Sequence, residues 1–200
     1  MSCWALVPVK ARTAGKQRLA HALSEETRTR LISRMLEQVL AAIAQCPEIA
    51  GVAVVTPERV GLAAPLRVRS DDGAGLNEAL QAVLPQLEAD GVRRVAIIFA
   101  DLPLLSVADV TALVQGGDVA GIALAPDHSG KGTNAMCLTL PTAFRLQFGP
   151  GSLARHSAEA TRLGGAAALV RRDGLAFDID EPEDVEKLRS RKDPRYDFLA

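Results

Sequence analysis

A continuous apolar segment in the interior of the chain runs from Val95 to Ala100 and stops at Asp101, with Leu102-Pro103 following. Six apolar residues bounded in this way predict a strand buried on both faces, as in a parallel sheet. In open α/β sheets ligands sit just beyond the carboxyl ends of such strands, so Asp101 is placed at a ligand-binding edge. Largely apolar runs at 3–9, 52–56, 66–68, 120–125, 135–140, 167–170 and 176–180 predict further strands.

Between them the apolar spacing changes to a helical period. Ser24-Glu25-Glu26 opens a helix with a capping residue and acids in its first turn, and Leu31, Met35, Val39, Ala42 and Ile43 form its buried stripe before Pro47. Helices are also expected over 77–89 (Leu80, Val83, Leu84 and Leu87 inward), 106–115 (Ser106 as cap, Asp109 closing an acidic capping box), 141–148 and 153–163. Ser152 stands at the cap position of the 153–163 helix, whose free N–H groups would favour an anion. A last helix starts near Glu181-Pro182. The charged tail from Arg189 is expected to be loosely held. Strand and helix alternate throughout, which predicts one α/β domain over residues 1–200, three layers deep around a mostly parallel sheet.

Composition narrows the function classes. With 48% apolar and 24% charged residues and a formal net charge of −1, the chain has no bulk attraction to nucleic acid or to an anionic membrane surface. No apolar run approaches the roughly 20 residues a membrane-spanning helix needs, and the N-terminus lacks a signal-peptide pattern. Cys3, Cys46 and Cys137 form no paired motif, which fits buried thiols in a reducing, cytoplasmic setting.

Two stretches carry charge in a pattern that suggests chemistry. Lys10, Arg12, Lys16 and Arg18 follow the first strand around Gly15, as a phosphate-cradling turn would, although basic loops are also commonly just solvated. Asp178 and Asp180 flank Ile179, so on an extended segment both carboxylates face the same way. Should they meet Asp101, three carboxylates converge. Two like charges about 4 Å apart repel by roughly 4 kcal/mol at an effective dielectric near 20, a cost that a divalent cation with all-oxygen ligation such as Mg²⁺ removes. The alternative is that Asp178 and Asp180 merely cap turns or the final helix. Likewise, Gly73 and Gly75 in the 70–79 segment suit either a plain turn or a backbone that approaches a ligand. His21, His128 and His156 are scattered and read as structural or solvated.

Five segments taken together resemble the 2-phospho-L-lactate guanylyltransferase family: VPVKARTAGKQRLA at 7–20, DDGAGLNEAL at 71–80, FADLPLL at 99–105, GTNAM at 132–136 with FGPGSLARH at 148–156, and DIDEPEDVEKL at 178–188. They lie in the family's order and span nearly the whole chain. The resemblance implies a Rossmann-like nucleotidyltransferase fold of the molybdenum-cofactor guanylyltransferase type, GTP as donor and Mg²⁺ as cofactor. It makes Asp101, Asp178 and Asp180 metal ligands and Asp101 and Lys16 the catalytic pair. Lys10, Lys16 and Arg18 hold the triphosphate, and the loop carrying Asp71, Gly75 and Asn77 flanks guanine and ribose. Thr133, Asn134, Gly149 and Ser152 grip the phospho-acid. Where family members often have Pro-Leu after the first lysine, this chain has Ala11-Arg12, and Arg12 is read as an added phosphate contact.

The implied reaction joins GMP to 2-phospho-L-lactate, phosphoenolpyruvate or 3-phospho-D-glycerate, releases diphosphate and serves biosynthesis of the deazaflavin coenzyme F-420. A phosphate monoester has its second pKa near about 6, so the nucleophile is already mostly dianionic at neutral pH and needs no general base. The rival readings are a sugar-nucleotide glycosyltransferase and a catalytically inactive GTP-binding regulatory protein. A homodimer is the default assembly.

Overall fold

In the computed structural model, residues 3–9, 16–56, 67–70 and 75–199 are described. Seven strands form one sheet: β1 (Cys3–Pro8), β2 (Ile49–Thr56), β3 (Arg67–Ser70), β4 (Arg94–Ile98), β5 (Ile122–Pro126), β6 (Thr133–Thr139) and β7 (Ala168–Leu169), in spatial order β3-β2-β1-β4-β6-β5-β7. β1 pairs in parallel with β2 and β4, β2 with β3, and β5 with β7. β6 alone runs antiparallel, to β4 on one side and β5 on the other. The six residues between β5 and β6 explain this: a hairpin needs few, whereas a parallel return needs a crossover of about a dozen or more.

The period-two pattern of the strands sorts their side chains between two cores. Ala5, Val7, Val54, Ala96, Ile98, Ala135 and Cys137 pack with α1 (Glu25–Ala44) and α3 (Val107–Ala120) on one face. Leu6, Ala53, Val55, Val95, Ile97, Met136 and Leu138 pack with α2 (Leu76–Ala89) and α4 (Ser152–Arg162) on the other. That is the expected three-layer arrangement. The expected stripe of α1, from Leu31 to Ile43, is buried, and Ser24 caps it by accepting from the Thr27 N–H. Ser106 and Asp109 form the expected capping box on α3. That helix packs closely enough that a Cβ at Gly117 would lie 2.7 Å from Cys137 Sγ.

Four expectations are corrected. Residues 141–148 are irregular, not helical, because side chains from two neighbouring helices occupy the segment's backbone groups. The 176–180 strand is absent; a single turn, α5 (Asp173–Ala176), is followed by an extended segment that carries Asp178 and Asp180 past the sheet. Ser152 is the first residue of α4 and not its cap, since Gly151 takes that place in a left-handed conformation (φ 72°) that favours glycine. The tail after α6 (Pro182–Ser190) is docked: Tyr196 and Leu199 are buried, and the Tyr196 hydroxyl donates to Pro103 O at 3.2 Å. Its apolar residues complete a third core with Leu31, Met35, Ile179 and Leu188, which charge composition alone conceals.

The chain departs from β1 towards β2 and β3, then returns to lay β4 on β1's other side. The carboxyl ends of β1 and β4 are therefore the topological switch point of the sheet.

Candidate active site

At that switch point a lysine meets two carboxylates. Lys16 lies beyond β1 in a left-handed conformation (φ 55°), ahead of a short 3-10 turn anchored by buried Leu19. Asp101 leads the turn after β4, and buried Leu102 and Leu105 fasten that turn to the core. Gln38 of α1 donates to Leu105 O at 2.7 Å, while Tyr196 holds Pro103 from the other side. The Lys16 ammonium donates to Asp101 Oδ2 at 2.6 Å and to Asp180 Oδ1 at 2.7 Å. Burial disfavours that charge, but Asp101 and Asp180 overcome it and raise the lysine pKa above its ordinary value.

Asp178 stands beside this pair. Its carboxyl pKa is raised by burial and then by the negative charges of Asp101 and Asp180, against a hydrogen bond from Asn134. Asn134 Nδ2 lies 3.1 Å from Leu175 O and 3.2 Å from both Ala176 O and Asp178 Oδ1. His128 Nδ1 approaches the same Asp178 oxygen at 3.4 Å. Asp101 Oδ1 is buried without a hydrogen-bond partner among the described residues. Hard oxygen donors under mutual repulsion, one of them unpaired, fit a small divalent cation. Among the described residues, however, no three acidic, histidine or cysteine side chains stand close enough to hold one together, and Lys16 joins Asp101 to Asp180.

A separate wall, next to the expected phospho-acid residues, is formed by the irregular segment ahead of α4. Its backbone is satisfied by side chains rather than by a ladder. Asn77 accepts from Phe148 N at 2.7 Å and donates to Phe148 O at 3.2 Å. Gln81 accepts from Leu146 N at 2.9 Å and donates to Phe144 O at 3.2 Å. From α4, Glu159 accepts from Arg145 N and His156 Nε2 accepts from Gln147 N, each at 3.0 Å. With Nε2 accepting, His156 carries its proton on Nδ1, 3.1 Å from Thr133 Oγ1. Burial, then Arg155, lowers its pKa to about 4.

The expected site residues divide accordingly. Lys10, Arg12 and Asp71 lie outside the described residues. Lys16, Asp101, Asp178, Asp180 and Asn134 come together. Arg18 is exposed and paired with Glu181 at 2.7 Å. Gly75 (φ 107°) caps α2, and the Asn77 amide is committed at both ends to Phe148. Thr133 is tied to His156, one turn along α4 from Ser152. Two N–H groups at the start of α4 are already used, Ser152 N by Gly149 O and Leu153 N by Lys131 O. Sequence reading missed Gln81 and Glu159 as residues that shape this wall, and read His156 as structural or solvated without assigning it a partner. Their signal was positional: Asn77 and Gln81, and likewise Ser152, His156 and Glu159, recur at helical spacing on faces otherwise directed at the core. It also missed His128 beside Asp178, which nothing in the sequence pattern marks.

Comparison with known proteins gives a consistent picture. The family described as "Guanylyl transferase CofC like" matches residues 3–194. The phosphoenolpyruvate guanylyltransferase of Sphaerobacter thermophilus is 38% identical over 196 residues, covering 94% of this chain and 93% of that protein. That of Rubrobacter xylanophilus is 35% identical over 204 residues, covering 98% of each. Among solved structures, 4-diphosphocytidyl-2C-methyl-D-erythritol synthase superposes with a TM-score of 0.66 at 19% identity, covering 96% of this chain and 98% of that one, which shows the shared nucleotidyltransferase-like fold. No helix among the described residues is long and apolar enough to cross a membrane.

Proposed function

The chain belongs to the guanylyl transferase CofC-like family, and from that premise we propose that it transfers GMP from GTP to the phosphate of phosphoenolpyruvate with release of diphosphate. The observation that supports this most is the meeting of Lys16 and Asp101 at the switch point of the sheet, in a chain whose relatives over nearly its full length carry that name. The product would feed formation of the deazaflavin coenzyme F-420.

The chemical difficulty is to bring an anionic phosphate against an anionic triphosphate. Asp101, Asp178 and Asp180 would hold Mg²⁺, which when bound supplies charge neutralisation at the reacting phosphates. Lys16 keeps its proton under the field of Asp101 and Asp180 and presents a permanent positive charge beside them. Arg18 stands at the exposed rim, within reach of an arriving polyphosphate. Thr133, Gly149 and Ser152 lie on the wall that Asn77, Gln81 and His156 brace, and they would receive the phospho-acid. His156 stays neutral and keeps Thr133 in place; it moves no proton in the reaction.

The test is incubation with GTP, Mg²⁺ and, in turn, phosphoenolpyruvate, 2-phospho-L-lactate and 3-phospho-D-glycerate, with diphosphate measured and the product weighed by mass spectrometry. A guanylylated phosphoenolpyruvate is expected. A preference for another of the acids would revise the substrate, and no diphosphate with any of them would refute the proposal. Glycosyl transfer, which releases none, is separated by the same readout.

A further inference from the structure

Asn134 was expected among the residues that grip the phospho-acid, yet its amide points elsewhere. Its main chain belongs to β6, which runs antiparallel to β4 with Ile98 opposite Ala135, and Phe99 N donates to Asn134 O at 3.1 Å. That places its backbone against the chain two residues before Asp101. Its side chain, buried at 5% exposure, reaches across to the segment that carries the other carboxylates, donating to Leu175 O, Ala176 O and Asp178 Oδ1. An amide nitrogen has two hydrogens, and here three acceptors share them, leaving no donor for a substrate.

We propose that Asn134 is a positioning residue that sets the placement of Asp178 relative to Asp101, and not a contact to the phospho-acid. The inference rests on the reading of Asp101 and Asp178 as metal ligands. Residues that orient a ligating carboxylate commonly change metal affinity about 10–100-fold when removed. Asn134 is built for that role because it is fixed to both arms at once: by its backbone to the β4 end, and by its amide to the 175–178 turn. Besides the bond from Asn134, Asp178 Oδ1 has the 3.4 Å approach of exposed His128.

The test is Mn²⁺ binding in the presence of GTP, followed by the loss of the free-ion signal in electron paramagnetic resonance, on wild type, Asn134→Ala, Asp178→Ala and the double variant. Unfolded variants are screened out by thermal melting; Asn134→Ser, which disturbs volume less, replaces Asn134→Ala if the latter does not fold. The expected result is a rise of about tenfold or more in the Mn²⁺ dissociation constant for Asn134→Ala. With saturating metal, its KM for the phospho-acid should stay within about twofold of wild type while kcat per folded molecule falls; the weakened Mn²⁺ constant of the folded protein is the change that mere loss of stability would not produce. In the Asp178→Ala background, removal of Asn134 should add less than twofold to the Mn²⁺ constant. Unchanged Mn²⁺ binding in Asn134→Ala, or a raised phospho-acid KM alone, would overturn the inference. If Asp178→Ala itself binds Mn²⁺ as wild type does, it is the metal reading that fails, and the inference with it.

Discussion

Asn77, expected beside the nucleotide, has its amide committed to Phe148, ahead of the expected phospho-acid residues Gly149 and Ser152. Its amide makes two hydrogen bonds to Phe148, one accepted at 2.7 Å and one donated at 3.2 Å. Replacement by alanine strands both backbone groups of a buried residue. Each lost bond carries about 1 kcal/mol net, and a stranded buried group costs about 1–3 kcal/mol, so the pair amounts to about 2–3 kcal/mol with partial access of water. For a chain of this length about 1 kcal/mol moves Tm by roughly 2–4 °C, and Asn77→Ala should melt about 4–12 °C lower. Asn77→Asp keeps the acceptor for Phe148 N but sets a carboxylate against Phe148 O; it should lose at least half as much. Because Phe148 leads directly into Gly149 and Ser152, both variants should raise the KM for phosphoenolpyruvate, with the KM for GTP changed less than about twofold. Calorimetry and steady-state diphosphate release measure the two effects. A wild-type Tm with a raised KM for GTP would refute the brace and make Asn77 a nucleotide ligand.

Three further outcomes follow from the same geometry. Asp101→Asn should lower kcat by about 100-fold or more with an unchanged circular dichroism spectrum, since a preorganised charge at the reacting phosphates is lost while the side-chain volume is kept; near-normal diphosphate release would remove Asp101 from the site. His156, with a pKa lowered to about 4 in the fold against about 6.5 unfolded, binds its proton more readily in the unfolded chain, so stability should fall as pH drops from 6.5 towards 4, by about 3 kcal/mol over the whole window. Urea unfolding at pH 7 and pH 5 should show that slope in wild type and a smaller one in His156→Gln. Gly117→Ala puts a methyl group 2.7 Å from Cys137 Sγ and should cost about 1–3 kcal/mol in the same assay, with m unchanged.

Much of this architecture was legible in the pattern of apolar residues. The stripe of α1, the capping box at Ser106 and Asp109, and the buried strand ahead of Asp101 stand where the local pattern puts them, although that strand stops at Ile98 and leaves Phe99 and Ala100 half-buried. What was not legible depended on distant partners. Residues 141–148 are apolar enough to suggest a helix, but Gln81 and Glu159, many positions away, supply the bonds a helix would have made internally. The 176–180 run alternates like a strand, yet its apolar residues Phe177 and Ile179 belong to the third core with the tail, not to the sheet. Residues Arg189 to Leu199 looked solvated by charge count, and it is Tyr196 and Leu199 that dock them. At the site, residue types and order pointed to Asp101, Asp178 and Asp180. That Lys16 bridges two of them, and that Asn134 serves the third, are facts of geometry with no trace in spacing.

On the proposed reading, the carboxylates at the carboxyl end of β4 and before α6 share a divalent cation with the nucleotide. Anomalous diffraction from crystals grown with Mn²⁺ and a non-hydrolysable GTP analogue tests it directly. The expected result is a Mn²⁺ peak within about 2.0–2.4 Å of oxygens from Asp101 and at least one of Asp178 and Asp180, with Lys16 turned to the phosphates. A peak held by the phosphates alone, with Lys16 still seated between Asp101 and Asp180, would contradict it.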